Sequence, residues 1–472
     1  MKRTKIICTL GPACASEEML KKLFNAGMNV GRLNFSHGTH TSHLEMINLF
    51  RKVRDKMGIP AAVLLDTKGP EVRLGKFREG KCVLKTGSDF TLTTRNVAGD
   101  ETICQVNYKD LPSFTKKGHK ILIDDGMISL TVKSVENNDI ICRVTEGGPV
   151  SDHKGVNIKG VSLDMPYLSK KDKEDLLFGI KHNVDFIAAS FTRTKQDMED
   201  LRNFLDSKGG KNIKIIAKIE NPEGVRNFKK ILEISDGIMV ARGDMGVEID
   251  FEKLPGIQKS IIRECCRRGK IVITATQMLE SMTSNPRPTR AEITDIANAV
   301  FDGTSAVMLS GESAAGKYPE QAVKAMSKIA VQAEKDALTL DMYKRNKVYG
   351  DDSDTTSAIA HAACQAAYDL KAKCILAITK SGSTAVNISK YRPAEPIAAC
   401  TPSIKTFHQL SLCWGVIPVK IRTYNSFSKL YEASENALKE HNIAQTGDLF
   451  VATGGTPVQI EGKTNLIRVD TL

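Results

Sequence analysis

Short runs of aliphatic and β-branched residues, each ending in polar residues or glycine, recur between stretches with the apolar spacing of amphipathic helices. In the first two thirds of the chain eight such runs occur, at 5–10, 29–35, 61–67, 185–191, 213–219, 237–241, 270–276 and 305–310. Strands that alternate with helices predict βα units and a parallel sheet, whose strands are covered on both faces. Eight units in one region predict an α/β fold closed into a (β/α)8 TIM barrel, with its chemistry at the C-terminal strand ends. The rhythm breaks once, because no long amphipathic helix appears between Thr67 and Ser169. Short Val/Ile/Thr-rich runs occur there instead, separated by turn signals such as Glu79-Gly80, Asn137-Asn138-Asp139 and Gly147-Gly148. They predict an all-β domain inserted after the third barrel strand, where it would overhang the mouth as a lid that expels water on closing.

Helical signals resume at Ser169-Lys170-Lys171-Asp172, an N-cap with an acid three residues on. After Gly316-Lys317-Tyr318-Pro319 a long helical pattern runs to about Lys344, and an acidic, small-residue link follows at 350–355. Beyond it, strand-like runs at 374–379, 396–401, 415–419, 448–453 and 466–470 predict an open α/β sheet. The expected domains are a barrel from 1–67 and 168–344, a β lid from 68–167, and a C-terminal α/β domain from 345–472.

Composition narrows the function. A chain of 472 residues supports two or three domains, and its hydrophobic share of 41% and charged share of 26% are ordinary for globular proteins. No stretch reaches the ~20 apolar residues of a membrane span, and the basic start reads as a first strand instead of a signal peptide. Eleven cysteines without a C-x-x-C pair suggest reduced thiols and a cytoplasmic protein. The net charge of +12 is scattered, with little aromatic interleaving; it reads first as a solvated basic surface and second as steering of small anionic substrates, and does not suggest nucleic acid.

The polar residues at the strand ends show where chemistry could sit. The second strand ends Arg32-Leu33-Asn34-Phe35-Ser36-His37, the third Asp66-Thr67-Lys68-Gly69-Pro70-Glu71-Val72-Arg73, and the fifth Lys218-Ile219-Glu220-Asn221. The sixth runs into Arg242-Gly243-Asp244, the seventh into Thr276-Gln277, and the eighth into Ser310-Gly311-Glu312. Glu220 and Asp244 on neighbouring strands would repel each other unless they shared a hard cation with oxygen ligands, for which Mg²⁺ is suited. Arg32, Arg73 and Lys218 would face a multiply charged anion. Alone, each of these residues could be an ion pair or a cap; together at one mouth they point to phosphoryl transfer.

At these residues the sequence resembles the pyruvate kinase family over almost its whole length. The segments that carry the resemblance are 28–38, 66–73, 218–224, 239–248 and 274–282, in the family's order. It implies transfer of a phosphoryl group from phosphoenolpyruvate to ADP, with Glu220 and Asp244 as Mg²⁺ ligands. Lys218, helped by Arg32 and Arg73, would stabilise charge on the phosphoryl. Amides around Gly243 and Asp244 would hold the substrate carboxylate, Thr276 would lie beside the substrate, and Ser310 would belong to the path that protonates the enolate carbon. Asn34, Ser36, Asp66 and Thr67 look like ligands of a monovalent cation, and Glu71 resembles the K⁺-dependent kind of family member. Asn34, His37, Arg73 and the lid residue Lys154 look like nucleotide contacts, and the family suggests a homotetramer.

In the third domain Thr379-Lys380-Ser381-Gly382-Ser383-Thr384 follows a strand and opens a helix, where amides and hydroxyls could hold a phosphate. The resemblance implies an allosteric site for a phosphorylated effector, with Lys380 and Ser383 as contacts. Gly31 stands where the family commonly has alanine, Lys159 where proline is usual, and Ser305 where aspartate is frequent. The first two are expected to loosen the strand and the lid hinge. An aldolase-like Mg²⁺ enzyme would keep Glu220 and Asp244 without needing the lid, and a scaffold protein would be expected to lose Lys218 or Arg73.

Overall fold

A computed structural model describes residues 2–340, 342, 354–424, 426–457 and 463–472. Eight parallel strands close into a barrel: Lys5–Thr9, Val30–Asn34, Ala62–Asp66, Phe186–Ala189, Lys214–Ile219, Gly237–Ala241, Ile271–Ala275 and Ala306–Leu309. They are neighbours in chain order, and the eighth pairs back onto the first, Lys5 opposite Ala306. Side chains alternate between the two faces of each strand. Ile7, Val30, Leu64, Phe186, Ile216, Met239, Ile273 and Met308 point inward and fill the barrel. Ile6, Cys8, Leu33, Val63, Ile187, Ile215, Val240 and Val272 face the surrounding helices. Because both faces are buried, the strands carry the continuous apolar runs seen in the sequence.

The inserted domain is β throughout its core, with one short helix at Leu111–Phe114. A six-stranded sheet orders Val156–Ile158, Lys120–Ile123, Ile128–Glu136, Asp139–Glu146, Asp89–Thr93 and Ile103–Gln105, and Lys81–Leu84 pairs with Gly148–Ser151 beside it. The chain re-enters the barrel through the helix Lys170–Lys181, capped reciprocally by Ser169 and Asp172. Asp172 also accepts from the Gly69 amide at 3.0 Å, tying the outgoing strand end to the incoming helix.

The third domain is a five-stranded sheet ordered Val416–Lys420, Ile397–Thr401, Cys374–Ile378, Leu449–Gly454 and Leu466–Thr471, the last antiparallel. The helix Pro319–Thr339 precedes it; the expected helix end near Lys344 and most of the link at 350–355 lie outside the described residues. This domain seats on the N-terminal face of the barrel. Leu412 enters the interior cluster from below, Lys5 Nζ donates to the Val416 carbonyl at 2.7 Å, and Lys405 pairs with Asp185 at 3.3 Å.

The two expectations of looseness do not match what surrounds these residues. A β-carbon at Gly31 would stand 2.7 Å from Phe50 Cε2 and 2.8 Å from Leu10 Cδ1, so glycine admits a ring against the strand and tightens the packing. Lys159 forms an ion pair with Asp250 at 2.8 Å, joining the lid to the barrel where a proline would offer no charge. Ser305 packs at the barrel floor, its Oγ accepting from the Val272 amide and from Arg392 of the third domain, each at 3.2 Å.

Candidate active site at the barrel mouth

Parallel strands of a barrel end at one rim, so residues distant in sequence meet there. Asp66, 1% exposed at the end of the third strand, is the hub. Its Oδ2 accepts from Arg32 Nε at 2.6 Å, and its Oδ1 takes Lys218 Nζ at 3.1 Å and Ser190 Oγ at 3.1 Å. Arg32 also donates to Thr9 Oγ1 at 2.9 Å, and Lys218 donates to Ser190 Oγ at 2.7 Å. Two cations therefore share one buried carboxylate. Burial would raise the Asp66 carboxyl, but Arg32 and Lys218 outweigh it and hold it below the usual range. Burial would likewise lower the Lys218 ammonium, yet Asp66, Glu220 and Asp244 hold it above the ordinary lysine value, so it stays charged.

Lys218 and Glu220 are two apart at the end of the fifth strand, which puts both on its inner face. Glu220 Oε2 accepts from the Phe191 amide at 2.5 Å, and Oε1 lies 2.8 Å from Lys218 Nζ. Oε1 is buried and lacks a well-aligned hydrogen bond. Burial pushes the Glu220 carboxyl upward; Lys218 opposes this, and the Asp244 charge adds to it. A buried carboxylate facing a second carboxylate fits a divalent cation with oxygen ligands. The same pair would repel an additional anion.

Asp244 lies on the short helix Arg242–Glu248 that follows the sixth strand. The helix start is pinned, since Arg242 pairs with Asp295 at 2.7 Å and donates to the Thr276 carbonyl at 2.6 Å. Thr276 takes a left-handed φ of 67°, and its Oγ1 accepts from the Gly243 amide at 2.8 Å. The amide expected to meet a substrate carboxylate thus donates to Thr276 in this state. Ser310 is set by its own amide donating to Glu312 Oε2 at 2.6 Å, and Glu312 also accepts from the Leu279 amide at 3.1 Å.

The remaining predicted residues divide into two groups. Asn34 stands opposite Asp66 in strand register, with Ser36 donating its amide to Asn34 Oδ1 at 3.1 Å and Thr67 following Asp66, so these four residues come together. Arg73 and Lys154 belong to the lid. Arg73 pairs with Glu71 at 2.6 Å and donates to the His153 carbonyl at 2.7 Å, while Lys154 pairs with Asp124 at 2.7 Å. His37 is exposed, its imidazole lowered by partial burial and then by the charges of Arg73 and Arg32.

In the third domain, Thr379 and Thr384 are buried, and their hydroxyls engage the Gly382 amide at 2.9 Å and Thr464 at 2.9 Å. Lys380 and Ser381 are exposed and Ser383 is half-buried, so that part of the loop faces solvent.

Three residues of the hub escaped the sequence reading, the first being Thr9, which accepts from Arg32. Ser190 bridges Asp66, Thr67 and Lys218, and Phe191 presents its amide to Glu220 from a left-handed φ of 52°. Their signal was position alone: Thr9 closes the first strand and 190–191 the fourth, and neither end carries a charge to draw notice.

A closed (β/α)8 barrel with an inserted β domain, two buried cations and a pair of carboxylates at its mouth defines a barrel enzyme with a charged site at its strand ends. The family description "Pyruvate kinase, barrel domain" matches residues 1–323, and "Pyruvate kinase, alpha/beta domain" matches 357–470. A pyruvate kinase of Clostridium acetobutylicum is 48% identical over 470 residues, covering 99% of each chain. One of Clostridium perfringens is 47% identical over the full length of both chains, and one of Staphylococcus saprophyticus is 48% identical over 99% of this chain and 80% of its own. This chain belongs to the pyruvate kinase family.

Proposed function

We propose that this chain transfers the phosphoryl group of phosphoenolpyruvate to ADP, giving pyruvate and ATP, the closing step of glycolysis. The observation that carries this reading is the buried Lys218, held charged by Asp66 and Glu220 beside Arg32 at the barrel mouth. The ammonium and the guanidinium meet the phosphoryl as its bond to the enolate oxygen breaks and a bond to the terminal ADP oxygen forms. Their positions are fixed beforehand by Asp66 and Ser190, so little reorganisation accompanies the charge shift. The enolate left behind gains a proton at carbon through the side of the site that Thr276 and Ser310 line. Arg73, His37, Asn34 and Lys154 hold the nucleotide, and closure of the lid brings Lys154 over it.

Glu220 and Asp244 would hold Mg²⁺, which when bound would supply positive charge against the developing negative charge of the transfer. The burial of the Glu220 carboxylate beside the Asp244 charge supports this assignment. Asn34, Ser36, Asp66 and Thr67 would hold K⁺, with Glu71 leaving the local charge balance open to it. Pyruvate release coupled to lactate dehydrogenase, with each ion withheld in turn, tests both. Turnover is expected to require Mg²⁺ and to fall on the order of 10²-fold without K⁺; full activity in K⁺-free buffer would remove the second site.

The fold units at 1–67 with 168–344, 68–167 and 345–472 serve as barrel, lid and regulatory domain in this reading. The loop Thr379, Lys380, Ser381, Ser383 and Thr384 binds a phosphorylated effector, with Lys380 and Ser383 on its open side. Ser383→Asp places a carboxylate there and is expected to abolish activation by sugar phosphates or AMP at unchanged basal rate. Unchanged activation by each of them would exclude the loop. The enzyme works as a cytoplasmic homotetramer; no helix among the described residues is long and apolar enough to cross a membrane.

A further inference from the structure

The helix Arg242–Glu248 is pinned at both ends, the second time by the lid. At its far end Glu248 Oε1 accepts from Asn157 Nδ2 of the inserted domain at 3.0 Å, and Asp250 just beyond takes Lys159 Nζ at 2.8 Å. Asp244 and Glu248 are four residues apart, so they share one face of the helix, a single turn from each other. A displacement of Glu248 is therefore carried to Asp244.

The other partner is equally committed. Asn157 lies in the strand Val156–Ile158, opposite Leu122 in register. Gly155 forms a bridge to Arg73, and the Val156 amide donates to the Val72 carbonyl at 2.8 Å. Arg73, Lys154 and Asn157 thus ride on one hydrogen-bonded corner of the lid. The adjoining turn 124–127 reaches the same helix, since a β-carbon on Gly126 would stand 4.0 Å from Val247 Cγ1. Asn157 and Glu248 also line, with Glu71 and Arg193, a cavity of about 100 Å³. Glu248 is half-buried; desolvation raises its carboxyl and the Asn157 amide donor opposes that rise.

We propose that the Asn157–Glu248 hydrogen bond, seconded by Lys159–Asp250, is a positioning latch that couples the nucleotide-holding corner of the lid to the metal-holding helix. Nucleotide affinity and metal affinity then rise and fall together with the latch. The inference rests on the reading of Asp244 as a Mg²⁺ ligand and of Arg73 and Lys154 as nucleotide contacts.

The test uses the full chain and Mn²⁺ as the probe, its binding followed by electron paramagnetic resonance without turnover. Asn157→Asp sets a second carboxylate against Glu248. It is expected to raise the KM for ADP about tenfold and weaken Mn²⁺ binding about fivefold, with kcat within about threefold of the parent. Adding Glu248→Gln reverses donor and acceptor and is expected to restore both constants to within about twofold. A contact that served the fold alone would neither separate KM from kcat nor be rescued by the exchange. Lys159→Ala, which leaves the strand pairing intact, is expected to raise the KM for ADP about twofold and keeps the question decidable if Asn157→Asp does not fold. Parental KM and Mn²⁺ affinity in these variants, with Mn²⁺ binding lost in Asp244→Asn, would overturn the latch alone. Unchanged Mn²⁺ binding in Asp244→Asn would overturn the metal reading and the latch with it.

Discussion

Lys218→Met is expected to lower kcat by on the order of 10³-fold, because it removes a preorganised cation from the place where phosphoryl charge shifts. The expectation follows from geometry. Lys218 is locked by Asp66 at 3.1 Å, Ser190 at 2.7 Å and Glu220 at 2.8 Å, so it cannot serve as a mobile surface charge. Asp66 would keep Arg32 as a counter-charge, and Glu220 would lose its own. With burial already pushing that carboxyl upward, Glu220 would take up a proton more readily, and Mn²⁺ binding should weaken together with turnover. The steady-state rate and a Mn²⁺ titration measure the two effects, with circular dichroism reporting the fold. A kcat within tenfold of the parent would remove Lys218 from the chemistry.

Asp66→Asn is expected to destabilise the barrel by about 3–5 kcal/mol, because two buried cations lose the carboxylate between them. Arg32 and Lys218 are each 8% exposed, so water cannot replace it. The folded-state carboxyl is held below its unfolded value, so its stabilising contribution is fully present above the unfolded pKa of ~3.9 and fades as pH falls through the lower folded value. The parent should therefore lose this increment on acidification, and Asp66→Asn should lack that part of the acid dependence. Urea unfolding near neutral pH and again in acid provides the comparison. Equal midpoints for the two proteins at neutral pH would show that Asp66 contributes nothing net.

How much of the site was legible depended on the kind of residue. Lys218, Glu220, Asp66 and Arg32 are charged residues at the ends of apolar runs, and a charge there has no ordinary place in a barrel core. Ser190 and Phe191 contribute a hydroxyl and an amide, groups present throughout the chain, so nothing in the sequence separated them from other strand ends. Arg73 and Glu71 are two residues apart in the sequence, yet their pairing depends on the corner that Gly155 and His153 build around them. Gly31 and Lys159 were misjudged for a related reason. Residue type describes freedom in the unfolded chain, whereas Phe50, Leu10 and Asp250, which decide the folded side, come from other elements.

By itself the sequence determined the eight barrel strands, the β insertion, the open C-terminal sheet and the charged rim. Each is written locally: a strand buried on both faces must be a continuous apolar run, and a helix must repeat near every fourth residue. Tertiary structure alone decided that Asp66 would bind two cations at once, that Leu412 would fill the barrel from below, and that Asn157 would reach Glu248. Those contacts join residues tens to hundreds of positions apart. Their energies depend on separations of a few ångströms that exist only once the barrel has closed and the other domains have seated on it.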